Sequence, residues 1–174
     1  FPTFTIVGLP NKAVDEAKDR VRTAIINTGF EMPDSRITVN LAPADIPKEG
    51  SAFDLPIAVG ILASSKLIQI EELSKSLFIG ELSLEGDIRP VNGIISVIMM
   101  ARTKKISQVF VPSENEQETL LFDDITIYPI RKLTELILHL NLHKRLTPRQ
   151  SSEMENIFVE GYDSDFADIK GQET

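Results

Sequence analysis

The stretch ITVNLAPADIPKEGSAFDLP, residues 37–56, combines three folding signals. Residues 37–41 alternate apolar and polar side chains, which is typical of a β-strand. Two prolines and a glycine within residues 42–50 indicate a loop. The apolar run from Phe53 to Ser64 predicts a buried helix, and its small residues would let it pack closely against a sheet. A strand, a loop and a buried helix in this order indicate an α/β or α+β domain.

Strands and helices alternate on both sides of this stretch. Residues 4–7 predict a strand, and an amphipathic helix that Asn11 caps and Gly29 ends follows it. Beyond the central helix, the sequence predicts a hairpin from residues 77–82 and 86–90, a helix over 93–105, strands over 108–111 and 125–130, and a helix over 132–142. This alternation predicts an α+β fold in which helices pack on a mixed sheet.

Composition and charge limit the function classes. The chain of 174 residues is long enough for one domain with a sizeable core, and its lack of cysteine excludes disulfides, thiolate zinc sites and a Cys nucleophile. The longest nearly apolar stretch, residues 55–63, is too short to span a membrane, so we expect no membrane partner and a cytoplasmic location. Acidic residues concentrate in the C-terminal stretch, which predicts a domain over 1–145 and an acidic linker over 146–174.

Several common catalytic and nucleotide-binding motifs are missing from the sequence. The chain contains no G-x-x-x-x-G-K-[ST] loop, no G-x-G-x-x-G turn after a strand and no H-E-x-x-H pair. Its only histidines, His139 and His143, stand four residues apart on the last predicted helix. Without a third ligand in view, we expect both side chains to face solvent near the helix end.

One group of polar residues does stand where chemistry is possible. Lys48, Glu49, Ser51 and Asp54 precede or begin the buried helix, where backbone N–H groups are free to bind an anion or to support a nucleophile. The structural alternative is that Ser51 caps the helix and Asp54 complements its dipole.

The segments GELSLEGDIRPVNG, residues 80–93, and VFVPSEN, residues 109–115, resemble the proteolytic domain of Lon proteases. That resemblance places Ala52 at the position of the nucleophilic serine and Ile95 at the position of the lysine that serves as its base. Neither side chain can attack or accept a proton, so we expect no catalytic residues. The alternative is a Lon-type serine peptidase with a displaced nucleophile, Ser51.

Residues 4–10, 37–45 and 48–56 resemble more closely the amino-terminal domain of magnesium-chelatase-like AAA+ proteins, the YifB/ComM group. The resemblance implies a Lon-like fold of the ribosomal S5 domain 2 type, fused to an AAA+ ATPase that forms homo-hexamers and, in the ComM branch, acts as a DNA helicase in branch migration. Residues 165–172 resemble the lead-in to that AAA+ module. ATP and magnesium would then bind the module, which these residues do not include, and this chain would be a non-catalytic accessory domain that serves ring assembly, DNA contact or coupling to the motor.

Direct DNA contact is an alternative function that the basic residues suggest. The candidates are Lys104, Lys105, Arg131 and Lys132, which form two small clusters at predicted helix ends. A stand-alone DNA-binding domain would use them to contact phosphates. A solvated helix end is the structural alternative for each pair.

Overall fold

The structure is a computed structural model that describes residues 3–8, 11–43, 45, 50–69 and 73–150. The predictions made for Lys48, Glu49 and residues 151–174 lie outside the described residues. The strands are β1 (Phe4–Val7), β2 (Ile37–Asn40), β3 (Ser76–Phe78), β4 (Glu81–Leu82), β5 (Ile88–Arg89), β6 (Gln108–Pro112) and β7 (Thr126–Ile130). The helices are α1 (Lys12–Asp15), α2 (Ala17–Asn27), α3 (Asp54–Ser64), α4 (Ile94–Thr103) and α5 (Leu133–Leu140), with 3-10 turns at Leu73–Lys75 and Ser113–Thr119. The predicted α+β class is confirmed.

The amino-terminal unit is a parallel strand pair joined by helices. β1 and β2 pair in register from Phe4 with Ile37 to Val7 with Asn40. The predicted cap is confirmed, because the Asn11 side chain accepts a hydrogen bond from the backbone N–H of Val14 at 3.0 Å. A turn at Glu16 separates α1 from α2, so the single predicted helix consists of two helical segments.

The central helix α3 is the most apolar element, as its sequence predicts. Its buried residues are Asp54, Leu55, Ile57, Ala58, Val59, Ile61, Leu62 and Ala63. It packs against α2, whose Val21, Ala24 and Ile25 are fully buried. The only charged residue among those buried on α3 is Asp54, at the start of the helix.

The prediction of one mixed sheet is wrong, because the described strands form three separate sheets. They are the parallel pair β1–β2, the parallel sheet β3–β6–β7 and the antiparallel hairpin β4–β5. The predicted strand over residues 77–82 is therefore divided. Its backbone breaks at Gly80, whose N–H donates to the carbonyl of Ala52 at 3.2 Å and whose carbonyl accepts from the N–H of Leu55 at 3.1 Å. The backbone N–H and carbonyl of Gly80 are thus bonded to residues at the beginning of α3, so they are not available to continue the sheet.

The three-stranded parallel sheet separates two apolar clusters. Successive side chains of β6 point to opposite faces, so Val109 and Val111 pack with α4, while Phe110 packs with α3 and α5. Phe110 is stacked between Phe78 and Tyr128, with ring centroids 4.9 Å apart in both pairs. Both faces of the sheet are covered, as parallel sheets require.

The carboxyl-terminal part of the described chain folds back on the sheet. The prediction that both histidines face solvent is wrong for His139, which is buried beside Tyr128 and accepts a hydrogen bond at Nδ1 from the N–H of Leu146 at 2.9 Å. His143 is exposed. The N–H of Arg149 donates to the carbonyl of Ile127 at 2.7 Å, so contacts with the body continue past the predicted boundary at 145.

Gly8 provides a test of the β1–β2 unit. Its φ is +109°, and a Cβ there would lie 2.2 Å from the carbonyl oxygen of Leu41. We expect Gly8→Ala to lower the free energy of unfolding by about 2–4 kcal/mol, because backbone strain and a backbone clash act together. Gly60→Ala is the matched control: nothing lies within 4 Å of its added Cβ, and alanine raises helix propensity by about 1 kcal/mol. Urea denaturation of both variants measures the difference, and equal stability would contradict the described approach of the two strand ends.

Candidate functional site

The two described residues of the candidate polar site, Ser51 and Asp54, have different partners and different burial. Ser51 does not cap the helix, and instead its hydroxyl donates to the carboxylate of Glu81 on β4. Asp54 is fully buried and points into the domain. The interpretation of Ser51 as a cap is therefore wrong, and the two residues serve different neighbours.

Asp54 forms a bidentate ion pair with Arg20 of α2. Its Oδ2 lies 2.7 Å from Nε of Arg20, and its Oδ1 lies 3.1 Å from Nη2. The same Oδ2 accepts a hydrogen bond from the N–H of Leu82 at 3.2 Å, and Arg20 also donates to the carbonyl of Ala13 at 3.0 Å. One buried carboxylate thereby joins α1, α2, α3 and β4.

Burial and the neighbouring positive charge shift the pKa of Asp54 in opposite directions. Burial raises the pKa of Asp54, while the hydrogen bonds from Arg20 and from the N–H of Leu82 oppose that rise. The hydrogen bond to Asp54 raises the pKa of Arg20, so the guanidinium stays charged. The pair is a structural connection, since its carboxylate has no exposed surface with which to meet a ligand.

Ser51 lines an open cleft of about 420 Å³ between the start of α3 and the residues that follow the hairpin. The remaining lining residues are Gly50, Ala52, Glu81, Pro90, Val91, Asn92, Asn115 and Glu118. Buried Asn115 fixes the far wall, because its side-chain amide accepts from the N–H of Val91 and donates to the carbonyl of Val91, both at 3.0 Å. Asn115 also donates to Glu118 at 2.6 Å. The cleft is polar and its wall is rigidly held.

The two positions that the resemblance to Lon proteases assigns to a catalytic dyad, Ala52 and Ile95, carry no reactive group. Ala52 lines the cleft, whereas Ile95 lies in the first turn of α4, 40% exposed and outside the cleft lining. Among the described residues, the Ser51 hydroxyl donates to the carboxylate of Glu81, whose other oxygen lies 3.7 Å from Nη1 of Arg89. Within the part of the chain that the structure describes, no three His, Cys, Asp or Glu side chains are placed to hold a metal ion.

The structure does not bring the four candidate DNA-contacting residues into one patch. Lys104 and Lys105 follow α4, just before β6 begins, whereas Arg131 and Lys132 follow the end of β7. Because β6 and β7 are parallel, these two pairs lie at opposite edges of the sheet. All four side chains are exposed, and Lys132 forms an ion pair with Asp87 at 3.1 Å.

Sequence reasoning missed Arg20, Glu81 and Asn115. Arg20 lies 34 residues from Asp54, and nothing in the local pattern of an amphipathic helix distinguishes it from a solvated arginine. Glu81 does stand within the segment that resembles Lon proteases, beside the glycine that interrupts the predicted strand. That glycine is the feature of the sequence from which a contact between Glu81 and another part of the fold could have been predicted.

The Arg20–Asp54 pair predicts a pH-dependent loss of stability. We expect Arg20→Met to lower the free energy of unfolding by about 3 kcal/mol at neutral pH, because it leaves a buried carboxylate without its cation. Without Arg20 the pKa of Asp54 rises further above its unfolded value, so the variant loses stability as the pH rises through that pKa. The difference in free energy of unfolding between the variant and the unaltered chain is therefore smaller at about pH 4 than at neutral pH.

Urea denaturation at both pH values measures this effect. Arg22→Met is the control, because Arg22 is an exposed arginine on the same helix and its loss should change stability by less than about 0.5 kcal/mol. Replacement of both partners, as Arg20→Met with Asp54→Leu, should recover much of the loss. A deficit that does not vary with pH would show that the buried carboxylate is not its cause.

Comparison with known proteins identifies the family. Residues 1–115 match the family model described as subunit ChlI of Mg-chelatase. The chain is 46% identical over 145 residues to the competence protein ComM of Haemophilus influenzae, covering 83% of this chain and 28% of that protein. It is 48% identical over 122 residues to YifB of Escherichia coli, covering 70% of this chain and 24% of that protein.

A more distant likeness links the chain to a protease. It is 29% identical over 120 residues to Lon protease 2 of Bacillus subtilis, covering 68% of this chain and 21% of that protein. The chain spans between a fifth and three-tenths of the length of these three relatives. Since the ChlI model covers more than half of the chain, and since ComM and YifB are close to it in sequence, the chain belongs to the ChlI family of Mg-chelatase subunits, in the YifB/ComM group.

Proposed function

We propose that this chain is a non-catalytic accessory domain of a magnesium-chelatase-related AAA+ ATPase, with a Lon-like fold of the ribosomal S5 domain 2 type. The observation that carries the proposal is the cleft beside α3, which is lined by Ala52, the residue that the resemblance to Lon proteases aligns with the nucleophile. The likeness to a Lon protease supports the fold, and the likeness to ComM and YifB supports the AAA+ context.

Peptidase activity through Ser51 is the weaker alternative. A serine hydroxyl needs a general base to become a nucleophile, and the group beside Ser51 is a carboxylate that shares its charge with Arg89. The described cleft lining contains no lysine or histidine. The cleft can therefore bind a polar segment more readily than it can cleave one.

The nucleotide chemistry would belong to an AAA+ module on the same polypeptide. The described residues do not fit ATP or magnesium, because they offer no group of three metal ligands and the sequence has no phosphate-binding loop. In this proposal the complete protein is a cytoplasmic homo-hexamer of the ATP-driven DNA helicase type, and the present domain assists ring assembly, DNA contact or coupling to the motor. No helix among the described residues has the length and apolar character needed to cross a bilayer.

The surroundings of Ser51 predict an absence of proteolysis. We expect the chain to release no fragments from a fluorescently labelled unfolded protein, because the described cleft lining offers Ser51 no lysine or histidine, and its carboxylate neighbour Glu81 is paired with Arg89. The Ser51→Ala variant should behave identically, and a Lon protease assayed in parallel shows that the substrate is cleavable. Cleavage that disappears in Ser51→Ala would sink the accessory-domain proposal and favour the displaced-nucleophile alternative.

DNA contact is a second candidate function that the exposed basic pairs favour. Lys104 and Lys105 are exposed and have no ion-pair partner among the described residues, whereas Lys132 is paired with Asp87. A lysine that is already paired with a carboxylate releases fewer counterions when it meets a phosphate. If the domain contacts duplex DNA, the Lys104 and Lys105 pair should therefore contribute more than Arg131 and Lys132.

The salt dependence of DNA binding tests this candidate in the complete protein. We expect Lys104→Gln with Lys105→Gln to reduce the slope of log affinity against log salt by about 2, because two phosphate contacts are lost. The matched double variant, Arg131→Gln with Lys132→Gln, should reduce it less. If the slope of log affinity against log salt is unchanged in both double variants, direct DNA contact through these residues is contradicted.

A further inference from the structure

A second depression, separate from the cleft at α3, lies between α5 and the chain that follows it. It has a volume of about 640 Å³ and is bounded by the Ser113–Thr119 turn, the end of β7, one side of α5 and residues 144–150. We call it the α5 groove. Its apolar lining includes Leu120 and Leu138, which are 37% and 41% exposed, together with Leu146.

The lining of the α5 groove carries a small excess of positive charge. Arg131, Lys144 and Arg149 line it, against Glu116 and Glu135. The carboxylate of Glu135 already accepts a hydrogen bond from the N–H of Arg131 at 3.2 Å. The groove thus offers an apolar floor with an excess of cationic donors, a combination that suits an acidic peptide segment with apolar side chains.

Arg149 supplies the observation that points to a missing ligand. Its side chain is only 5% exposed, and Nη2 donates to the carbonyl of Phe122 at 2.6 Å and to Asp123 at 3.2 Å. Nη1 approaches the carbonyl of Gln150 at 3.5 Å. Nε is buried and has no hydrogen-bond partner among the described residues. A buried donor on a cation is costly when unsatisfied, so a rotation of the Arg149 side chain that brings Nε to an acceptor in the groove would be stabilising.

We propose that the α5 groove binds the chain's own acidic segment, residues 153–160. Gln150 lines the groove and is the last described residue, and Glu153 and Glu155 follow it within five positions. An extended chain advances about 3.3–3.6 Å per residue, so both carboxylates can reach Arg149 and Lys144. Ile157 and Phe158 follow at once and can cover Leu138 and Leu146.

Charge and connectivity together favour this occupant. Residues 151–174 contain seven acidic residues and one basic residue, Lys170. The segment is also tethered beside the groove, which gives it a high effective concentration that a free peptide lacks. This inference goes beyond the proposed function and does not depend on it, because both the groove and the segment belong to the present chain.

Paramagnetic relaxation in the full chain of 174 residues tests the proposal. Because the chain has no cysteine, Gly161→Cys allows a nitroxide to be attached at one position just beyond the segment. We expect the methyl signals of Leu138 and Leu146 to lose intensity severalfold relative to the reduced label. The exposed methyl groups of Val7 on β1 serve as the reference and should keep their intensity.

Charge variants of the acidic segment avoid the loss of stability that replacing the buried Arg149 could cause. Glu153→Gln with Glu155→Gln should restore the Leu138 and Leu146 signals, whereas the matched pair Asp168→Asn with Glu173→Gln should not. Equal small losses at Leu138 and Val7 would overturn the proposal, as would an effect that survives Glu153→Gln with Glu155→Gln. If the loss persists when the nitroxide is carried by a separate, isotopically unlabelled copy, a second molecule occupies the groove and the intramolecular assignment is wrong.

Discussion

The ion pair between Arg20 and Asp54 is the constraint on which the arrangement of the amino-terminal half depends. A carboxylate without exposed surface is tolerable only where a cation and hydrogen-bond donors surround it, and here α2 supplies the cation while β4 supplies an N–H. The buried beginning of α3 is therefore held at one distance and orientation from both elements. Because Ser51 and Ala52 lie three and two positions before Asp54, the same constraint sets the near wall of the cleft.

Hydrogen bonds from side chains on both walls give the cleft a defined shape. Asn115 holds the backbone of Val91 through two hydrogen bonds, and the hydroxyl of Ser51 ties the opposite wall to Glu81. A satisfied polar network of this kind makes the site rigid. The shape of the cleft thus depends on the hydrogen bonds that Asn115 and Ser51 make.

The order of strands and helices could be predicted from the sequence because it depends on local periodicity. The division into three sheets could not, since it depends on hydrogen bonds from Gly80 to residues at the start of α3. The same limit applies to the site. Ser51 and Asp54 were identifiable as polar residues near a helix start, but their partners Glu81 and Arg20 are 30 and 34 residues away. His139 looked like a surface residue because its burial requires the chain around Leu146 to fold back over it.

The parallel pairing of β6 and β7 has a mechanical consequence. Each strand has five residues, so the sheet edges that carry Lys104 with Lys105 and Arg131 with Lys132 are about 15 Å apart, at roughly 3.3 Å per residue. Packed side chains cover both faces of the strands between them. The two basic pairs are therefore held apart by the length of a strand, and a ligand that contacted both pairs at once would have to extend along the whole sheet.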